Sequence, residues 1–161
     1  MSVRCYALTS LWSLDAPRAR CWDVLADPAM TWPRWWPGVT AVDVAPAADG
    51  LAGSAATLRF RTRVGYALRV ALVVEEAAVH RWVRVRATGD LVGAGFVTLD
   101  SPTPASTAVR VRWEVATTRA WMNAAAPLLA RGFAASHASL MRAGERGLAA
   151  YLGAEPGATG T

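Results

Sequence analysis

From Val39 to Thr117, over about eighty residues, large apolar side chains recur at every second position. A block of that length with period two must pair with itself as a sheet of several strands, each burying one face. Turn signals cut it at Asp49-Gly50, Gly65, Ala77-Ala78, Gly89-Asp90 and Pro102 to Pro104. The pieces predict strands over Val39–Val44, Ala55–Val64, Tyr66–Glu75, Val79–Thr88, Leu91–Leu99 and Thr107–Thr117. Connections this short join antiparallel neighbours, so the block reads as a meander.

The flanks have other periods. Ahead of the block, Tyr6, Leu8, Trp12 and Leu14 share one parity and make Ser2–Leu14 a seventh strand. Asp15 is placed to cap a helix with Pro17 in its first turn, and Ala19, Trp22, Leu25 and Ala26 give it an apolar stripe. Asp27-Pro28 ends that helix, and the run PAMTWPRWWP from Pro28 to Pro37 leaves room for a second short one. After the block, Trp121–Leu152 returns to helical spacing. Phe133, His137, Leu140, Gly144 and Leu148 fall on one face, while Arg131, Arg142, Glu145 and Arg146 lie largely off it. Pro127 either kinks this helix or marks its start. The expected fold is α+β: a seven-stranded antiparallel sheet curled around a long C-terminal helix, with two short helices after the first strand. A single domain is expected over residues 1–152, followed by a flexible tail at 153–161.

Composition narrows the function classes. A chain of 161 residues that is 53% hydrophobic has the substance for one core with room for an internal cavity, and it is not a disordered sequence. The net charge is +5, yet all seventeen basic residues are Arg; with 34 Ala, one Asn and no Ile or Gln, this usage fits GC-rich codons, so the basicity is no pointer to a nucleic-acid partner. Cys5 and Cys21 form no CxxC, which points to reduced thiols in a cytoplasmic protein. No apolar run is long enough to span a membrane. GxSxG, GxxxxGK[ST] and HExxH motifs are all absent, and two histidines cannot build a multi-histidine metal site, so neither a metal nor a cofactor is expected.

The order of elements, Asp15-Ala16-Pro17 with Trp22 behind it, Trp35-Trp36-Pro37-Gly38, Gly89-Asp90-Leu91 with Gly93 and Gly95, and the Asn123–Leu152 segment resemble the SRPBCC or START-like superfamily. Within it, the chain is similar to bacterial proteins of the polyketide cyclase/dehydrase type. The resemblance covers about Val3 to Leu152 and implies a helix-grip fold with a deep apolar pocket between sheet and long helix. It implies a hydrophobic, ring-containing or polyketide-like ligand and leaves the reaction open, since fold does not fix chemistry. Cyclisation or dehydration without a cofactor, non-catalytic carriage of a lipid or metabolite, and ligand sensing all remain, as does a twofold homodimer.

Strand parity turns Leu58, Phe60, Thr62, Val83, Val85, Val109, Val111, Trp113 and Val115 inward. It turns Arg59, Arg61, Arg63, Arg84, Arg86, Arg110 and Arg112 outward, with Trp82, as a solvated face in which aromatics interleave poorly, which argues against specific nucleic-acid binding. The expected pocket wall is Phe60, Tyr66, Leu68, Trp113, Phe133, Leu140 and Met141. Trp32, Trp35 and Trp36 either stack on a flat ligand at the open end or plug it. Arg69 lies on a strand apolar on both faces; inward it contacts an acidic ligand or pairs with Glu75 or Glu114, outward it joins Arg61 and Arg84. His137, between Phe133 and Met141 on the helix stripe, is the candidate acid or base, with a structural hydrogen bond as the alternative. Tyr66, Arg69, Asp90 and Glu114 are the other candidates for proton transfer. His80 is expected at an exposed turn, and Gly93 and Gly95 to admit close packing and not a phosphate.

Overall fold

In the computed structural model, which describes residues 5–62, 65–120, 124 and 126–154, the alternating block forms one continuous sheet. Strand β1 (Cys5–Leu14) leads through α1 (Arg18–Leu25) and α2 (Trp32–Trp35) to β2 (Val39–Ala45), β3 (Ala55–Arg61), β4 (Ala67–Ala78), β5 (Trp82–Gly89), β6 (Leu91–Thr103) and β7 (Ser106–Thr117). The long helix, here α3, runs from Ala126 to Ala154. The sheet order is β1-β7-β6-β5-β4-β3-β2, every pair antiparallel, so β1 and β2 are its two edges.

The sheet coils around α3, which packs on β1, while α2 bridges β2 and α3, and α1 rests on β6 and β7. The inward parity is the expected one: Leu58, Val83, Val109, Val111 and Val115 are buried, and Arg59, Arg61, Arg84, Arg86, Arg110 and Arg112 are exposed. On that outer face Glu75, at a bulge in β4, pairs with Arg84 at 3.2 Å and Arg86 at 3.4 Å. Glu114 is exposed and pairs with Arg112. Arg63 and Trp121 lie outside the described residues, as does the tail from 155.

Several local expectations change. Asp15 is exposed and does not cap α1; Pro17 holds the N-cap position with φ −60° and ψ 146°, and its carbonyl accepts the Arg20 and Cys21 amides. The α1 face is rotated as well: Cys21, Trp22 and Val24 are buried and Ala19 is exposed. Burial raises the Cys21 thiol pKa, so this sulfur is protonated and packs as a small apolar group. Ala77 and Ala78 do not turn; they pair with Val83 and Trp82, and the reversal falls on Val79–Arg81. His80 takes the left-handed conformation there, φ 64°, and its ring meets the Trp22 indole edge-on at 6.1 Å, so it is half-buried and not exposed. Pro127 sits in the first turn of α3, where its missing amide costs no helical bond, and Gly153 and Ala154 continue the helix into the expected tail.

The turn between β5 and β6 is held by one carboxylate. Asp90 accepts the Arg69 amide at 2.8 Å and the Arg119 guanidinium at 2.9 Å, and hydrogen bonding from Arg119, ahead of the Arg69 amide, lowers its pKa. Because the folded pKa is depressed, this contribution is present above the usual carboxylate value near 4 and lost as the pH falls below it. Asp90→Ala is expected to lower the melting temperature more at pH 7 than near pH 2, where the parent's carboxyl is protonated and has lost its charge pairing with Arg119, as thermal unfolding at the two pH values will show.

Candidate functional site: a divided apolar cavity

Between the concave face of the sheet and α3 lies a void of about 70 Å³. Phe60, Leu68 and Trp113 face it from the sheet, Phe133, Leu140 and Met141 from α3, and Trp32 and Trp36 from α2. Tyr66 and His137 also line it. The remaining wall, absent from the expected set, is Leu8, Val70, Leu91, Val115, Thr62 and Ser136, although parity had turned Thr62 and Val115 inward. Thr62 had the inward parity and Ser136 directly precedes His137, so both could have been found by following those patterns one residue further.

Two candidates lie elsewhere. Arg69 is exposed on the outer face, because Leu68 and Val70 on either side of it are buried and β4 alternates strictly there. Trp35 is buried in the core and absent from the void; its ring stacks on Trp36 at 5.4 Å and 16° and meets Trp12 edge-on at 6.5 Å. Asp90 and Glu114 are not at the void either.

The tryptophans are positioned by glycines. A Cβ at Gly144 would lie 2.5 Å from the Trp36 ring, and one at Gly147 would lie 1.8 Å from the Trp35 carbonyl, so α3 carries a notch into which α2 docks. Trp36 donates its indole N–H to the Leu140 carbonyl at 2.9 Å. On the sheet, Trp113 pairs across strands with Gly95, where a Cβ would come within 2.7 Å of the indole; Gly95 therefore serves packing, as its place within a strand suggested.

The polar groups of the void cluster at Thr62, Tyr66, Ser136 and His137. Thr62 donates its hydroxyl to the Tyr66 carbonyl at 2.9 Å. Burial raises the Tyr66 phenol pKa, against opposing hydrogen bonds with Ser136 and Thr62. Burial lowers the His137 pKa to about 4, so the imidazole is neutral at pH 7. Its Nε2 is buried without a hydrogen-bond partner, a costly state in an apolar wall. No lining side chain carries a charge. Among the described residues no group of three His, Cys, Asp or Glu could hold a metal, and no helix is long and apolar enough to cross a membrane.

No family model and no curated protein matches the chain. Solved structures do. The Zhui aromatase/cyclase from a Streptomyces species superposes with TM-score 0.73 at 16% identity, over 98% of this chain and 100% of that one. A START superfamily protein from Mycobacterium smegmatis gives 0.68 at 15% identity, over 90% of this chain and 95% of that one. Protein Ms6760 of the same organism gives 0.63 at 18%, over 96% and 98%.

The chain has the START-like helix-grip fold. Within that fold the void occupies the space between grip and helix, and its tryptophans come from the α2 segment, Trp32 and Trp36, and from β7, Trp113.

Proposed function

We propose that this helix-grip protein binds an uncharged, hydrophobic, ring-containing small molecule whose hydroxyl or carbonyl group completes the hydrogen bonding of His137. The observation that carries the reading is that His137, whose Nε2 is buried without a hydrogen-bond partner, lines an uncharged, largely apolar void. A neutral imidazole there donates or accepts according to its tautomer, and either way it selects for one polar atom on an otherwise apolar ligand. A charged ligand would meet no counter-charge.

The likeness to an aromatase/cyclase supports a further step of the same reading, in which a polyketide-like chain is folded and His137 and Tyr66 handle protons during cyclisation or dehydration. With a pKa near 4, His137 is a weak base at neutral pH, which favours positioning over proton abstraction and keeps the non-catalytic carrier or sensor as the alternative. The function would reside in a single cytoplasmic domain with no dissociable cofactor and no specific nucleic-acid partner.

The test is direct. Phenol and 1-naphthol, titrated into protein labelled with ¹⁵N-histidine, are expected to shift the His137 ring nitrogens, whereas benzoate at the same concentration is expected to leave them unmoved. A response to benzoate alone would defeat the reading. Native mass spectrometry of freshly purified protein would then identify any molecule carried from the host.

A further inference from the structure

A second void, about 80 Å³, lies beside the first under α1 and α2. The two have only Trp32 and Trp113 in common, so those indoles form the partition. The second chamber is walled by Leu72, Val83, Val85, Val97 and Leu99 from the sheet and by Trp22 and Met30 from the helical side. Its polar groups are Ser54, whose hydroxyl accepts the Ala47 amide, and Asp27, whose carboxylate accepts the Ala29 amide. Asp27 stands at the mouth, because Trp22, Ala26, Asp27, Pro28 and Leu51 also line an open surface cleft. Nothing inside asks for a polar atom on the occupant.

We propose that this second chamber is a subsite for an unbranched hydrocarbon chain, and that Trp32 is the partition that turns aside when one molecule occupies both chambers. Size argues for it. The chambers measure about 70 and 80 Å³, so a molecule with its ring in one and its chain in the other needs the space that the Trp32 indole now fills. The halves of the partition are held unequally. Trp113 is seated over Gly95 on β7, a strand hydrogen-bonded on both sides. Trp32 begins a four-residue helix and is half-buried; its indole donates to the Leu25 carbonyl at 3.0 Å and lies tilted against Trp36 at 5.4 Å and Trp35 at 6.4 Å, contacts within its own short segment. The chain leading to it passes through Met30 at φ 55°, a left-handed conformation unfavourable for a non-glycine residue.

The polar end of such a ligand rests on the reading of His137 given above; the hydrocarbon subsite does not. A series of 4-n-alkylphenols from methyl to hexyl, titrated by calorimetry, is expected to bind roughly four-fold tighter for each added methylene. In methyl-labelled protein 4-hexylphenol, but not phenol, is expected to shift Val83 and Leu99. Val97→Phe, which fills only the second chamber, should abolish the chain increments while changing phenol affinity less than three-fold. Trp32→Ala should strengthen 4-hexylphenol at least ten-fold relative to phenol. A flat series in the unaltered protein, or increments without shifts at Val83 and Leu99, would overturn the proposal without recourse to a variant. Methyl shifts that persist while the His137 nitrogens stay silent would support the subsite and remove the reading of His137 instead.

Discussion

Trp36→Ala is expected to destabilise the protein by about 3–5 kcal/mol, the range for truncating a buried Trp. The indole is 6% exposed, stacks on Trp35 and meets Trp12 edge-on at 5.3 Å. Its N–H is bonded to the Leu140 carbonyl, and it fills the notch above Gly144. Truncation removes these contacts together and leaves a hole continuous with the first chamber, since Trp36 also lines it. Denaturant unfolding of the purified variant measures the loss. Trp36→Phe separates the two contributions: it keeps an aromatic ring in the notch and loses the hydrogen bond, so it should fall well short of the alanine figure. Equal stability of the alanine variant and the parent would mean that α2 does not lock onto α3.

The second large effect concerns pH. His137 has a folded pKa of about 4 against an ordinary 6.5, because burial disfavours the imidazolium. Its depressed value means that the unfolded chain binds the proton more readily, so the protein keeps its full stability above pH 6.5 and loses it as the pH falls from there to about 4. The drop attributable to this one residue is about 3 kcal/mol, two and a half pKa units at roughly 1.4 kcal/mol each. His137→Phe should remove that slope. Since the variant also eliminates a buried nitrogen without a partner, it should be at least as stable as the parent at pH 7, with the difference widening on acidification. Paired melting curves at pH 7.5 and 4.5 decide the matter. At the same time the variant should bind phenol more weakly than the parent and leave benzene affinity nearly unchanged.

Much of this architecture could be read directly from the chain because both of its periods are strong. Val109, Val111 and Val115 alternate with Arg110, Arg112 and Glu114, and that contrast assigns the faces of β7 without ambiguity. Phe133, His137, Leu140 and Met141 recur at three to four residues, which placed the wall of α3. Local conformation was harder to read. His80 adopts a left-handed turn that two preceding alanines seemed better suited to mark, and Pro17 replaces Asp15 at the helix start because its fixed φ already suits that position. Arg69 was ambiguous because both parities of β4 are apolar; only the surrounding pairs in the sheet settle which side is outer. The division of the cavity was illegible altogether. It depends on the distance between Trp32 on a short helix and Trp113 on a distant strand, and no spacing within the sequence encodes that separation.

One consequence follows from β1 and β2 being the two edges of the sheet. The strands that would have to join to close a barrel are bridged by the indoles of α2 and by α3, not by a ladder of amides. Widening the shell along this seam therefore breaks no rung of the sheet. Its resistance comes from side chains: the ring contacts of Trp12, Trp35 and Trp36, the Trp36 indole bond to the Leu140 carbonyl, and the Glu145 carboxylate on the Ser13 amide. The fold thus combines a wall of seven hydrogen-bonded strands with a fastening made of side chains.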